Sequence, residues 1–433
     1  MADLSRRLAS QLAAQGEQAL RSGEVVQAEL LFIKALEVMP SHRESLLALA
    51  GLASDRADIE RALAFLRRAQ VDAPADLELA LRHAHGLGMA GDLSTAQQVL
   101  ESALKAGARS DPHLPLAWLA LAQSRQSLGD TDGSARAFNQ ALQQARRRGQ
   151  WVDDASTPPQ LRAFVLQARE AAAHVRKRIV RASYEAVRRE HGDAALQRVD
   201  RGVADLLGDI VALPAGTAQR PKSLYIPDLP EEPYLEPSLQ PWAAALTDAY
   251  PAIRREAMAL LASGERLPSF MPSGDLSHLS GPAGQLAWDA FFFYRHGQRY
   301  DNNLARCPAT SAALESVELF RIEGEAPEIC FSVLAPHTTI KPHFGVSNAR
   351  VVMHLPLIVP EGCALNLLAV GEHRWQEGRL VMFDDTYEHE AWNRSEHPRV
   401  VLLMDCWNPH LTAVEKQAIK HVLEAVRSFE QAL

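Results

Sequence analysis

Small apolar residues recur at helical spacing through the first third of the chain. Alanines stand at positions 28, 62 and 96, and again at positions 35, 69 and 103, in steps of 34 residues. Polar turn segments begin at residues 22, 56 and 90, with the same step. Small side chains at fixed positions let paired helices approach closely, and an acidic residue after a turn favours a helix N-terminus. The pattern predicts repeating helix pairs over residues 1–150.

This period and its small-residue pattern resemble tetratricopeptide repeats over about residues 8–146, although the family's large aromatic positions are mostly aliphatic here. The resemblance implies an α-helical solenoid in which each unit needs its neighbours to bury its apolar face. An unrelated helical bundle with accidental spacing is the alternative. A solenoid presents a concave surface suited to peptides or protein segments.

Residues 151–220 continue as amphipathic helices after Pro158 and Pro159, and we take them as a helical linker region. The segment HVRKRIVRASYEAVRRE is locally basic. It is interpreted as a solvated helix face, and a surface for an acidic partner or nucleic acid stays open as the alternative. A Pro-rich stretch then ends the helical period and places a domain boundary near residue 220.

Residues 221–433 predict a different domain. After a helix around Trp242 to Ser263, short apolar runs alternate with Gly, Pro and Asx turns, which favours a mostly antiparallel sandwich or barrel. The runs are WDAFFFYRHG, EICFSVLA, ARVVMHLPLIV, ALNLLAV, GRLVMFDD and PRVVLLMDCW. The last segment, TAVEKQAIKHVLEAVRSFEQAL, predicts a helix. The chain is therefore expected to be a multidomain α+β protein.

Composition narrows the classes of function. The 433 residues carry a formal charge of −8, which gives no general attraction to nucleic acid or to anionic membrane surfaces, and neither partner is expected. The four cysteines show no CxxC pairing, so neither a disulfide framework nor a zinc site is predicted. No secretory signal and no run of ~18 apolar residues is present, so a cytoplasmic location is expected.

Two histidines stand in settings that suggest a metal site. His343 lies in KPHFGVSN ahead of a predicted strand, and His389 follows the strand RLVMF and its Asp-Asp turn. Neutral imidazole suits iron(II), and the two could meet at the mouth of a barrel. Sixteen histidines occur in the chain, so residue type alone does not select these two.

The sequence around both histidines resembles the aspartyl/asparaginyl β-hydroxylase family. Four blocks carry the resemblance in order: PHFGVSN, RVVMHLPLIVPEGC, WQEGRLVMFDDTYEHEAWN and PRVVLLMDCWNPHLT. The similarity runs from about residue 221 to residue 418. It implies a double-stranded β-helix, a jelly-roll barrel, with Fe(II) held by His343 and His389 and with 2-oxoglutarate and O2 as cosubstrates. The implied activity is that of a dioxygenase that hydroxylates a C–H bond.

Gly345 stands where most 2-oxoglutarate oxygenases carry a carboxylate ligand, and the family shares this gap. Water is the implied occupant of that ligand position. Arg399 matches the family's 2-oxoglutarate arginine, and a planar guanidinium suits bidentate binding of a carboxylate. The alternative for Arg399 is a rim position paired with Glu396.

Other positions match the cosubstrate side of the family's site. Ser332 and His354 match residues that contact 2-oxoglutarate, and Arg350 shares a strand face with His354 because side chains alternate with period two. Val352 stands where family members have a second arginine, which leaves the outer contacts open. Ser332 and His354 each keep a purely structural alternative.

Three acids remain. Asp384 and Asp385 are interpreted as turn-capping residues ahead of His389. Asp405 shares a predicted strand face with Arg399, which suggests a buried charge partner for it.

The favoured hypothesis is hydroxylation of a protein or peptide, of the Asp/Asn β-hydroxylation type, with the repeats presenting the substrate. A hydroxylase of a small molecule or lipid is one alternative. A non-catalytic repeat adaptor with a metal-binding barrel, or a cupin-like binder, is the other.

Overall fold

The computed structural model describes residues 2–271, 277–282 and 287–431, and the chain divides into two compact units. The first comprises Met1–Ile179 with Arg427–Leu433, and the second comprises Val180–Val426. The predicted linker region over 151–220 is thus divided between the two units. The second unit begins 41 residues before the boundary predicted from the Pro-rich stretch.

The first unit is built from antiparallel helix pairs. Its helices are α1 (Ala2–Arg21), α2 (Val25–Val38), α3 (Arg43–Asp55), α4 (Ile59–Asp72), α5 (Leu77–Met89), α6 (Leu93–Ala106), α7 (Leu114–Ser127) and α8 (Thr131–Arg146). Helices α2, α4 and α6 begin 34 residues apart, and so do α3 and α5. The predicted repeats are confirmed.

The repeat depends on two local features. Asp58, Asp92 and Asp130 each precede a helix and accept a hydrogen bond from the backbone N–H three residues later. The recurring alanines are buried, as at Ala62 and Ala96, which are each 1% exposed. Small buried side chains at these positions let neighbouring helices pack closely.

Further helices in the described part of the chain are α9 (Arg162–Ser183), α10 (Glu185–His191), α11 (Gln197–Leu206), α12 (Ala243–Ala262), α13 (Asp301–Arg306), α14 (Pro308–Glu315) and α15 (Ala413–Glu430). Short 3-10 turns lie at Pro159–Leu161, Asp193–Leu196 and Pro237–Leu239. Within the basic segment of α9 and α10, Arg188 pairs with Asp193 and Asp200, and Arg181 pairs with Asp209. Part of that basic charge is therefore neutralised inside the second unit.

The described residues of the second unit form two antiparallel sheets. Its strands are β1 (Tyr234–Leu235), β2 (Leu279–Ser280), β3 (Trp288–Arg295), β4 (Gln298–Arg299), β5 (Ile329–Leu334), β6 (Thr338–His343), β7 (Arg350–Ile358), β8 (Cys363–Leu367), β9 (Gly371–His373), β10 (Val381–Phe383), β11 (His389–Asn393) and β12 (Arg399–Trp407). The larger sheet has the order β1-β10-β7-β12-β5-β3-β4, and the smaller has the order β2-β6-β11-β8-β9. The α+β class is confirmed, and closure into a jelly roll stays a prediction.

Side chains from the two sheets share one buried cluster. Leu334 and Val352 of the larger sheet pack in it with Ile340 and Leu365 of the smaller sheet. The other face of the larger sheet is covered by α12, whose Leu246 joins a second buried cluster. The space between the two sheets is therefore the inner layer in which a buried site is formed.

The apolar runs did not predict β6 and β11. Both strands are short and carry polar residues, TTIKPH and HEAWN, so their hydrophobic pattern is weak. They pair with one another in the smaller sheet, which corrects the expectation that His343 only precedes a strand. Within the described residues, no helix combines the length and the apolar character needed to cross a membrane.

Candidate active site

His343 and His389 are brought together by the pairing of β6 with β11. His343 is the last residue of β6, His389 is the first residue of β11, and their Cα atoms are partners in the ladder. The centroids of the two imidazole rings lie 4.1 Å apart, with 50° between the ring planes. Two strands that sequence patterning missed therefore place the two predicted ligands side by side.

Each imidazole is oriented by a backbone carbonyl. His343 Nδ1 lies 2.8 Å from the oxygen of Lys341, and His389 Nδ1 lies 2.9 Å from the oxygen of Tyr387. A carbonyl only accepts, so each Nδ1 carries the proton and each Nε2 keeps its lone pair. Burial lowers the pKa of both histidines to about 4, which keeps the rings neutral near pH 7.

A cavity of about 250 Å³ opens on these two rings. We call it the site cavity. The polar side chains that line it include Ser332, His343, His354, Asp385, His389 and Arg399. Within the described residues, no cluster of three or more His, Cys, Asp or Glu side chains is arranged to hold a metal ion. Two histidines are the metal-binding group that the site cavity offers.

Arg399 is a buried guanidinium with no acidic partner among the described residues. Its side chain is 2% exposed, and its Nε has no hydrogen-bond partner there. Its guanidinium carbon lies 4.9 Å from the ring centroid of Trp375. Burial lowers the pKa of Arg399 to about 10. A buried charge without a counter-ion is costly, so this group is suited to an anion supplied from outside the chain.

Neither predicted partner neutralises Arg399. Glu396 lies 3.1 Å from the imidazole of His337, so the alternative of a rim arginine paired with Glu396 is wrong. Asp405, expected as a buried partner, bonds to Arg350 on the neighbouring strand β7 instead. Arg399 and Asp405 share a face of β12, but the paired strand β7 brings Arg350 to that face as well.

Ser332 and His354 line the site cavity with Arg399. The indole nitrogen of Trp288 donates to the Ser332 hydroxyl oxygen at 2.9 Å, which leaves the hydroxyl proton free to be donated. His354 is 7% exposed, and its Nδ1 has no partner in the described part of the chain. Burial holds the pKa of His354 well below its usual value. Both residues are neutral donors close to a buried cation.

Arg350 also lines the site cavity, but its charge is already paired. It forms ion pairs with Asp385 and with Asp405, the latter at 3.1 Å. Desolvation opposes the charge of Arg350, yet these two carboxylates raise its pKa overall. The predicted role of Arg350 in binding the cosubstrate therefore competes with two internal carboxylates.

Asp384 and Asp385 have different roles, although sequence reasoning gave both the same one. Asp384 accepts hydrogen bonds from the backbone N–H and the hydroxyl of Thr386, as a turn-capping residue does. The carboxylate of Asp385 instead occupies the space beside Gly345 that a side chain there would fill. Its Oδ1 is buried and has no partner among the described residues. The turn-capping interpretation is wrong for Asp385.

Sequence reasoning missed several residues around the site cavity. Trp288 donates to Ser332, Trp375 stacks on Arg399, and Glu328 lines the same cavity as the two histidines. Trp288 opens the largely apolar run WDAFFFYR, and nothing in that run marks its indole N–H as part of a site. Trp375 and Glu328 lie beside Gly and Pro turns, and nothing in their spacing points to a site.

Comparison with known proteins identifies the domain. Residues 247–409 match the family model described as aspartyl/asparaginyl beta-hydroxylase. A mouse aspartate beta-hydroxylase domain-containing protein 2 is 30% identical over 53% of this chain and 66% of its own length. An ornithine lipid ester-linked acyl 2-hydroxylase of Rhizobium tropici is 36% identical over 41% of this chain and 61% of its own.

The human aspartyl/asparaginyl beta-hydroxylase is 31% identical over 39% of this chain and 21% of its own length. The matches thus span from about a fifth to about two thirds of these relatives. The residues that line the site cavity all lie within the range that the family model matches. Residues 247–409 of this chain thus form a domain that matches the aspartyl/asparaginyl β-hydroxylase family, preceded in sequence by helix pairs with tetratricopeptide-like spacing.

Proposed function

We propose that this chain is an Fe(II)- and 2-oxoglutarate-dependent dioxygenase that hydroxylates a C–H bond. The observation that carries the proposal is Arg399, a guanidinium 2% exposed and without an acidic partner among the described residues, in the same cavity as His343 and His389. When bound, iron and 2-oxoglutarate supply the oxidation: O2 is consumed, 2-oxoglutarate leaves as succinate and CO2, and one oxygen atom enters the substrate C–H bond.

The chain's own residues would hold and orient these groups. The Nε2 lone pairs of His343 and His389 would bind the metal, because both Nδ1 protons are held by carbonyls. Arg399 would bind the distal carboxylate of 2-oxoglutarate, and the Ser332 hydroxyl and His354 would donate to its oxygens. The apolar wall, with Phe383, excludes water and strengthens these polar contacts.

A protein or peptide is the favoured substrate. The tetratricopeptide repeats support this, because such arrays offer extended surfaces for peptide segments. The human relative's name, aspartyl/asparaginyl beta-hydroxylase, is that of an enzyme acting on aspartyl and asparaginyl residues. We infer that the repeats bind the substrate protein and that the site cavity receives one of its side chains.

A lipid or small molecule is the second candidate. It is favoured by the relative from Rhizobium tropici, whose name gives a lipid acyl chain as its substrate. The apolar side chains of the site cavity, among them Val352, Leu365 and Phe383, would accept an acyl chain. A catalytically inactive adaptor is the remaining alternative, and it predicts that metal binds without turnover.

One experiment separates these candidates. The full chain, loaded with Fe(II) and 2-oxoglutarate, is given peptides with single Asp or Asn residues in one arm and acyl lipids in the other. A product heavier by one oxygen atom, formed with one succinate per turnover, identifies the substrate class. Modified peptide supports the leading proposal and modified lipid the second. Metal binding without succinate in both arms would favour the adaptor.

A further inference from the structure

A second cavity, of about 340 Å³, adjoins the site cavity. We call it the side cavity. Five residues line both cavities: Phe270, Glu328, Val346, Arg350 and Asp405. Phe320, Ala326 and Leu423 give the rest of the side cavity an apolar wall. A molecule held in the side cavity would therefore present one end to the site cavity past Arg350.

The charge on this path is acidic. Arg350 lies between Asp385 and Asp405, so the three groups together carry one net negative charge. The two cavities together are lined by four carboxylates, Asp385, Asp405, Glu325 and Glu328, and by three guanidiniums, Arg295, Arg350 and Arg399, the last of which is assigned to 2-oxoglutarate. An incoming carboxylate would add a further buried negative charge beside the two carboxylates that already pair with Arg350, which is unfavourable.

Glu328 provides a hydrogen-bond acceptor on the same path. Its Oε1 accepts from the backbone N–H of His296 at 2.6 Å and lies 2.8 Å from that residue's Nδ1. Its Oε2 has no hydrogen-bond partner among the described residues. The nearby cation, Arg295, donates to the carbonyl of Phe270 at 3.1 Å and stacks on Phe292. Glu328 is thus positioned to accept from a donor brought by a ligand.

We propose that the side cavity is the substrate subsite, and that it selects an apolar group ending in an N–H donor, an amine or amide, over one ending in a carboxylate. The inference rests on the proposed function only in calling the bound molecule a substrate. The amide side chain of asparagine or glutamine and the amine of lysine or of an amino lipid share this chemistry. Asp405 and Glu328 would accept from it, and the aromatic wall would cover its carbons.

The test uses three probes with the same six-carbon skeleton: n-hexylamine, hexanamide and hexanoate. Their binding to the full chain is measured by ligand-observed NMR at pH 8, without oxygen and with 2-oxoglutarate in excess to cover Arg399. We expect the better of the two N–H probes to bind at least ten-fold more tightly than hexanoate. Whichever of hexylamine and hexanamide binds more tightly shows whether the subsite prefers an amine or an amide.

Two variants test whether Glu328 is responsible for the preference for N–H probes. Glu328→Gln keeps the oxygen that accepts from His296 and should reduce the preference for hexylamine over hexanoate at least five-fold. Glu361→Gln, at an exposed position outside both cavities, should change nothing. Hexanoate binding as tightly as the N–H probes, or a preference unchanged in Glu328→Gln, would overturn the inference.

The readout does not depend on turnover. If the probes follow the expected order but no succinate forms with any substrate, the subsite stands and the proposed reaction falls. Because 2-oxoglutarate in excess covers Arg399, the difference between wild type and Glu328→Gln reports on the wall that the side cavity shares with the site cavity.

Discussion

The carboxylate of Asp385 fills the space that a side chain at position 345 would occupy, since a Cβ added to Gly345 would overlap its carboxyl carbon and both its oxygens. The Asp385 carboxylate can therefore take this position only because residue 345 has no side chain. In this position Asp385 forms its ion pair with Arg350.

Gly345→Ala should destabilise the second unit because Asp385 has to move away from Arg350. Overpacking of this kind costs about 1 to 3 kcal/mol, measured by urea unfolding. Gly51→Ala is the control, because Gly51 lies inside α3 with open space around its Cβ position. Combining Gly345→Ala with Asp385→Ala should cost less than the sum of the two changes. Simple additivity would mean that the two residues do not share this space.

Arg399→Lys should raise the KM for 2-oxoglutarate about ten- to a hundred-fold, because a charge-assisted bidentate contact contributes about 1.5 to 3 kcal/mol. Lysine keeps the charge but loses the planar pair of donors. Arg394→Lys is the matched control: Arg394 also stacks on a tryptophan, Trp392, but is exposed and lies outside the site cavity. An unchanged KM in Arg399→Lys would show that 2-oxoglutarate does not bind to this arginine.

Trp375 should act as a positioning residue for Arg399. Its ring faces the guanidinium, and such a contact contributes about 0.5 to 2 kcal/mol. Trp375→Leu should therefore raise the KM for 2-oxoglutarate about two- to thirty-fold while kcat changes little. Trp375→Phe keeps an aromatic face and should restore most of the affinity. Equal losses in both variants, or a fall in kcat alone, would argue for a purely structural role.

Glu328 should make stability depend on pH. Burial, and then the charge of Asp405, raises the pKa of Glu328 to about 7, against the attraction of Arg295 and Arg350 and the hydrogen bond from His296. When folding raises the pKa of an acid, its contribution to stability is fully present at a pH below its pKa in the unfolded chain. This contribution is lost as the pH rises through the folded-state pKa, here about 7. Relative to Glu328→Gln, the wild type should lose about 1 to 3 kcal/mol of unfolding free energy between pH 4.5 and pH 8. A flat difference across that range would contradict the shift.

Helical periodicity was enough to predict the repeats, because the buried alanines and the capping aspartates are local signals with a fixed spacing. The main strands of the larger sheet were also predicted, since runs such as RVVMHLPLI are apolar over most of their length. The strands β6 and β11 were not, because both are short and rich in polar residues, which weakens the hydrophobic pattern.

The candidate site was only partly predictable. His343, His389 and Arg399 were found through resemblance to the family, whereas the partners of the arginines depend on which strands are neighbours. Asp405 bonds to Arg350 because β7 lies beside β12, and no spacing along either strand contains that information. The position of Asp385 beside Gly345 is likewise a contact between residues 40 apart in sequence.

The central claim is that His343 and His389 form an iron centre working with 2-oxoglutarate, and succinate release tests it most directly. Succinate is measured after adding Fe(II), 2-oxoglutarate, O2 and the peptide or lipid found to be the substrate to the purified full chain, to His389→Ala, and to the control His397→Ala, whose exposed side chain lies outside the site cavity. The account predicts succinate from the wild type and from His397→Ala, and a loss of at least a hundred-fold in His389→Ala. Succinate at the wild-type rate from His389→Ala, or none from a folded, iron-loaded wild type given its substrate, would contradict it.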